Sequence, residues 1–214
     1  MKRAKPATFY DRDYYLRGIE TGKSCYENYR WLPELTMPMV MRMIDYLHIR
    51  PDQTILDFGC AFGYVVKAFR LLHREAWGFD ISPYAIQHVD ELVKPYCFLP
   101  NKPVEIPESF DFCIAKDVLE HIDYQCIKSV LKNINAKHIF AIIPLGNGDG
   151  KYIAPSNNLD KSHIICEDIN WWLDTFYTSC WELIHFGYRI DGIKDSYYKN
   201  YPRAHGFFFT RRRF

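Results

Sequence analysis

Ile55-Leu56-Asp57-Phe58-Gly59-Cys60-Ala61-Phe62-Gly63, followed by Gly78-Phe79-Asp80-Ile81, is the stretch of this chain that decides the fold. An apolar run ends in an acid and a Gly-x-x-x-Gly turn, the pattern in which a buried strand passes into a helix and the main chain can approach a ligand closely. A second apolar run ends at Asp80, about twenty residues on, where a carboxylate can accept hydrogen bonds from ribose hydroxyls. Asp57 ahead of the first glycine would repel a pyrophosphate, which argues against a dinucleotide site. No Gly-Lys-Ser/Thr follows the turn, which excludes a phosphate loop.

A cationic, phosphate-free nucleoside fits these residues, and S-adenosylmethionine, with its sulfonium, ammonium and ribose, is such a molecule. The chain resembles the class I S-adenosylmethionine-dependent methyltransferases in Asp57 to Gly63, in Asp80, and in Ser109-Phe110-Asp111 through Asp117-Val118-Leu119-Glu120-His121-Ile122. These segments span roughly residues 50 to 146. The resemblance implies cofactor contacts from Asp57, Phe58, Gly59, Cys60, Ala61, Gly63, Asp80 and Ile81. It also implies that a segment ahead of the first strand covers the methionine end, where Tyr29 and Arg30 are candidates, Arg30 through a bidentate pair with the carboxylate. The aromatics of that segment can equally dock the terminus on the domain or make a dimer contact. Ala61 departs from the family, which has glycine there. Cys97-Phe98-Leu99-Pro100-Asn101 lacks the acid that reads adenine in many relatives, so adenine falls to main-chain groups or to Lys116 and Asp117.

Outward from this core, helical and strand periodicities alternate, the signature of a parallel sheet with crossover helices. Val40, Met43, Ile44 and Leu47 form one apolar stripe, Val65, Ala68, Phe69 and Leu72 a second, and Ile127, Val130, Leu131 and Ile134 a third. Ser82 and Pro83 read as N-cap and first residue of a helix burying Ile86, Val89 and Val93. Residues 110–115 and 138–143 are near-continuous apolar runs, as strands buried on both faces are. A further helix buries Ile169, Trp172, Leu173 and Phe176, and strands are expected over 181–186 and 206–210. The expectation is an α/β, Rossmann-like, doubly wound and mostly parallel seven-stranded sheet, ending in the antiparallel hairpin that the resemblance implies. It forms one domain over 1–214: a lid region over 1–50, a cofactor-binding core over 51–146, and a substrate loop and hairpin over 147–214.

With 27 basic and 26 acidic residues the net charge is +1, so no global field draws the chain toward nucleic acid or membrane. Arg211-Arg212-Arg213 is read as a solvated end. Seven cysteines without a Cys-x-x-Cys pair imply neither a disulfide framework nor a zinc clip, and a reducing cytoplasm is the expected location. No run of about 18 apolar residues occurs.

Methyl transfer needs positioning above all, and an oxygen acceptor also needs a base. Asp160-Lys161-Ser162-His163 ahead of Trp171-Trp172 resembles small-molecule methyltransferases acting on sugars and related metabolites. By that resemblance His163 is the first candidate base and Asp160 its orienting group, with His121 the second candidate; either histidine can instead be structural. Asp111 reads as a structural acid and Glu120 as a possible helix-start charge. No metal-ligand spacing of recognised type is present; Asp160, His163, Asp117 and His121 could in principle converge on an ion, and whether a metal is needed is left open. The expected acceptor is a small polar metabolite, a sugar or sugar-nucleotide derivative. A nucleic-acid methyltransferase is the alternative, weakened by Ala115-Lys116-Asp117-Val118 where an Asn/Asp-Pro-Pro-Tyr/Phe motif would stand. A non-catalytic module that binds the cofactor or a partner is another. Oligomeric state is left open.

Overall fold

The computed structural model describes residues 3–100 and 106–213. Seven strands, β1 (Thr54–Phe58), β2 (Glu75–Phe79), β3 (Cys97–Phe98), β4 (Phe110–Lys116), β5 (Ala136–Pro144), β6 (Trp181–Gly187) and β7 (His205–Arg212), form one sheet in the order β3-β2-β1-β4-β5-β7-β6. The first five are parallel, and β7 runs antiparallel between β5 and β6. Eight helices are described: α1 (Arg12–Leu16), α2 (Gly18–Thr21), α3 (Pro33–Leu47), α4 (Tyr64–Leu71), α5 (Pro83–Gln87), α6 (Ile127–Asn133), α7 (Ile169–Thr178) and α8 (Asp195–Asn200). The chain therefore has the mixed seven-stranded sheet and terminal antiparallel hairpin expected from its periodicity and family resemblance.

Alternation along the strands splits the core in two. Ile55, Ile114 and Phe140 face α3 and α4 and pack with Val40, Met43, Val66 and Phe69. Leu56, Cys113 and Ile139 face the other way, toward Leu131 of α6 and Trp172 and Phe176 of α7. Each such side chain contributes about 1.5–3 kcal/mol by leaving water, and those contacts fix the height of every strand end. Asp111 acts structurally: its carboxylate takes the Thr54 N–H at 2.9 Å and the Lys137 ammonium at 2.7 Å.

Several elements differ from the sequence expectation. The helix begun at Ser82, whose Oγ accepts the Ala85 N–H at 3.0 Å, ends at Gln87 rather than reaching Val93. The Asp90 carboxylate accepts the Leu92 N–H at 3.2 Å, a local turn that competes with helix; Val89 and Val93 are nevertheless buried. Arg211-Arg212-Arg213 is not a free end. Arg211 belongs to β7 and pairs with Glu182 at 2.7 Å, Arg212 donates to Ile134 O at 2.5 Å, and Arg213 donates to Tyr177 O. The loop after β5 is exposed over 147–151, as its glycines suggest, but then folds inward: Tyr152, Ala154, Asn157, Asp160, Ser162 and His163 are buried. Asn101, at the end of the segment searched for an adenine-reading acid, lies outside the described residues, as do Met1, Lys2 and Phe214. Among the described residues no helix is long and apolar enough to cross a membrane.

Candidate active site

The carboxyl ends of β1, β2 and β4 open into a cavity of about 660 Å³. Its floor is the β1–α4 turn. Gly59 sits at φ +84°, and a Cβ there would come within 2.5 Å of Val118 Cγ2, so only glycine lets the turn lie against the end of β4. Gly63 starts α4 from the left-handed region at φ +74°. Ala61 adopts φ +48°, a conformation glycine takes freely and alanine takes at a cost of roughly 1–2 kcal/mol. Its N–H points at Asp80 Oδ2, at 2.8 Å, while Asp80 Oδ1 accepts the Ser82 N–H at 2.8 Å. Each Asp80 oxygen thus keeps acceptor capacity for a ligand. Burial pushes the Asp80 carboxyl above its ordinary range, against the pull of these N–H groups.

Gly59, Ala61, Asp80, Ile81, Phe58 and Asp117, all named from sequence, line the cavity. Asp57, Cys60, Gly63 and Lys116 do not; they lie behind its wall. Asp57 is only 3% exposed, and its carboxyl is raised to about 7 by burial, with Lys116 lowering it and Asp80 raising it. Lys116 Nζ is 2.7 Å from Asp117 Oδ2, which also meets Lys194 Nζ at 2.8 Å. Burial would raise the Asp117 carboxyl, but Lys116 and Lys194 hold it well below the carboxylate range. Where an adenine-reading acid was sought, Phe79, Phe98, Ile106 and Val118 give the cavity an apolar wall instead.

The N-terminal segment closes the opposite side. Tyr10, Tyr14, Tyr15 and Tyr26 line the cavity and belong to one aromatic cluster with Phe62 of the glycine turn, which Tyr15 meets at a ring separation of 4.8 Å. Tyr29 and Arg30 hold different places: Tyr29 packs against Phe62 and Tyr64 outside the cavity lining, and Arg30 is exposed. The segment is tied down by Ala4 N–H to Asp123 Oδ1 at 2.6 Å, Lys161 N–H to Lys23 O at 3.0 Å, and Tyr14 Oη to Asp160 Oδ2 at 2.9 Å.

Behind the tyrosines the three catalytic candidates meet. The N–H groups of Ile164 and Ile165 both donate to Glu120 O, at 2.8 and 2.9 Å, stitching the 160–165 loop to the end of β4. The His121 and His163 rings are 4.7 Å apart. His121 lines the cavity; His163 stands behind it. Asp160 touches neither imidazole directly: it accepts from Ser162 Oγ, and Ser162 Oγ lies 2.8 Å from His121 Nδ1. His163 Nδ1 is 2.7 Å from Asn157 O. Both Nε2 atoms face Glu120 Oε1, at 3.8 Å from His121 and 3.7 Å from His163. Glu120 is fully buried, and neither carboxylate oxygen has a hydrogen-bond partner. Burial, then Asp117, raises the Glu120 carboxyl far above its usual range; burial and the neighbouring His163 push His121 down to about 4. Reasoning from sequence missed Glu120 and Ser162. The signal for Glu120 was a lone acid between Leu119 and His121-Ile122, which a solvated helix start would not need.

A family model described as a methyltransferase domain matches residues 30–143. No curated protein matches the chain in sequence. Solved structures share its fold at low identity. The [4+2]-cyclase SpnF superposes with a TM-score of 0.64 at 12% identity, covering 100% of this chain and 98% of its own. A Burkholderia thailandensis 1,6-didemethyltoxoflavin-N1-methyltransferase, bound to its acceptor and S-adenosylhomocysteine, gives 0.57 at 12%, covering 86% and 81%. An Archaeoglobus fulgidus S-adenosylmethionine-dependent methyltransferase gives 0.56 at 12%, covering 81% and 92%. With the acidic glycine turn, the second acid and the seven-stranded topology, the match places this chain among the class I S-adenosylmethionine-dependent methyltransferases.

Proposed function

We propose that the protein transfers a methyl group from S-adenosylmethionine to a small polar metabolite, a sugar or sugar-nucleotide derivative being the preferred class. One observation carries this reading: a single cavity runs from the Gly59–Asp80 cradle to His121 under a roof of tyrosines. The cradle fits the cofactor. Gly59 leaves space that any Cβ would fill, and Asp80 offers carboxylate oxygens already oriented by Ala61 and Ser82. When bound, S-adenosylmethionine supplies an electrophilic methyl group.

The chain's own contribution is placement. Tyr10, Tyr14, Tyr15 and Tyr26 present aromatic surface along one side of the cavity. His121 is the histidine on the cavity side that places the acceptor, its Nδ1 held through Ser162 and Asp160 and its Nε2 turned toward Glu120. His163 supports His121 from behind. The enclosed roof, held by Tyr14 on Asp160, and the near-balanced surface charge favour a small acceptor over a nucleic acid. Incubation with methyl-labelled S-adenosylmethionine and a panel of sugars, nucleotide sugars and an RNA oligonucleotide tests the reading. Label in the carbohydrate fraction that disappears in His121→Ala supports it; label in RNA alone, or no turnover in protein that binds the cofactor, overturns it.

A further inference from the structure

We infer that Glu120, His121 and His163 form a binding site for one divalent first-row transition-metal ion at the acceptor end of the cavity. The three side chains offer one ligand atom each, all within 4.8 Å of one another. Two separations are defined by contact: Glu120 Oε1 lies 3.7 Å from His163 Nε2 and 3.8 Å from His121 Nε2. An ion bound at about 2.0–2.2 Å fits between them after each atom moves inward by a few tenths of an ångström.

A second, independent observation points the same way. Glu120 is 0% exposed, yet both carboxylate oxygens lack hydrogen-bond partners. Buried carboxylates are ordinarily paired or coordinated, and this one is aimed at two imidazoles that have no charge to offer it when neutral. A cation supplies the missing partner.

The surroundings have the form that metal-ligating histidines take. Such a histidine coordinates through one nitrogen while the other is held by a carbonyl or by a hydroxyl backed by a carboxylate. His163 Nδ1 is held by Asn157 O, and His121 Nδ1 by Ser162 Oγ, itself bonded to Asp160. Both Nε2 atoms are thereby turned toward Glu120. The loop that carries His163 is pinned to the Glu120 carbonyl by two main-chain hydrogen bonds, so the ligands are held by backbone as well as side chain. Asp117 is occupied by Lys116 and Lys194 and does not join the set.

The donor set selects the ion. Two imidazoles and one carboxylate suit Fe²⁺, Co²⁺, Zn²⁺ or Mn²⁺, whereas Mg²⁺ and Ca²⁺ prefer oxygen ligands throughout. Three protein ligands leave coordination positions open, and of the three side chains His121 lines the cavity. Resting on the methyltransferase reading, this narrows the acceptor to molecules with two adjacent oxygens, such as a vicinal diol or a hydroxy acid, which chelate an ion in the open positions. His121 and His163 then act as ligands and position the acceptor rather than serving as free bases.

The test uses Co²⁺ as the probe on the full chain, stripped with a chelator and free of cofactor. Titration followed by visible absorption and equilibrium dialysis is expected to show one equivalent of Co²⁺ bound, lost in Glu120→Gln and His163→Ala. Ser162→Ala, which removes the hydroxyl that links His121 to Asp160 and leaves all three ligands in place, is expected to weaken binding by roughly 10-fold to 100-fold. Paramagnetically shifted imidazole N–H resonances from two histidines are expected in the wild-type Co²⁺ complex, which tests the ligand set without any variant. S-adenosylhomocysteine binding is measured on the same samples, so failure of the cofactor reading is distinguished from failure of the metal site. No Co²⁺ uptake by wild-type protein that binds S-adenosylhomocysteine, unchanged uptake by Glu120→Gln, or a complex without shifted imidazole signals overturns the inference.

Discussion

The two walls of the cavity are built on different principles. The cofactor wall is backbone: a glycine turn between β1 and α4 and an acid whose oxygens receive the N–H groups of Ala61 and Ser82. The acceptor wall is side chain. Tyr14 reaches Asp160 across 146 residues of sequence, and His121 reaches Ser162 across 41. A backbone wall suits the common part of a methyl donor, because main-chain positions hold whatever side chains drift around them. A side-chain wall can be rewritten residue by residue, which on the proposed function is where acceptor choice resides.

The glycine turn is held by sterics, with a buried acid, Asp57, behind it. The largest effect expected there is pH-dependent. The Asp57 carboxyl stands at about 7 in the folded chain, raised by burial and by Asp80, against about 3.9 when unfolded. The folded state therefore favours the protonated form, and stability is lost as pH rises from about 4 through about 7, by as much as about 4 kcal/mol. Urea unfolding is expected to show Asp57→Asn gaining on wild type across that window. An unchanged difference between pH 4.5 and pH 8 would remove the buried-acid account.

Gly59→Ala places a Cβ 2.5 Å from Val118 Cγ2 at φ +84°, which costs about 2–4 kcal/mol of stability and displaces the turn. Thermal unfolding and cofactor titration should fall together; a variant that binds normally breaks the backbone-wall picture.

The acceptor wall is expected to give smaller stability changes with larger consequences for the acceptor. Tyr14→Phe leaves Asp160 without one of its donors and costs about 1–3 kcal/mol. Its mark is a rise in acceptor KM with cofactor affinity kept within about 3-fold, a difference under 1 kcal/mol. Equal losses of both affinities would show that the two walls are not separable.

The smallest effect is expected at Ala61. Glycine relieves the φ +48° conformation but raises unfolded-state entropy, so Ala61→Gly changes stability by about 1 kcal/mol or less, read as a shift in the urea midpoint.

The same contrast explains what the sequence revealed. The β1 turn, Asp80 and the Ser82 cap are local patterns, each set by residues within a few positions, and a short segment carries the whole reason for them. The N-terminal segment stood out by its aromatics, yet Tyr29 and Arg30 were singled out where Tyr10, Tyr14, Tyr15 and Tyr26 face the cavity. Which of these side chains turn inward depends on how the segment packs against Phe62, and that contact is tertiary. His121, Asp160 and His163 were each candidates, but the convergence of the two histidines on Glu120 depends on the Ile164 and Ile165 N–H groups meeting the Glu120 carbonyl. No spacing along the chain encodes that bond.

Cofactor binding tests the central claim most directly. Titration calorimetry with S-adenosylmethionine and S-adenosylhomocysteine is expected to show saturable 1:1 binding by wild type. Asp80→Ala removes the acceptor of the Ala61 N–H and the group proposed to hold ribose, and binding should weaken by roughly 100-fold, the loss of about 3 kcal/mol. Wild-type protein that unfolds cooperatively yet binds neither molecule, or an Asp80→Ala variant that binds as tightly as wild type, would contradict the account.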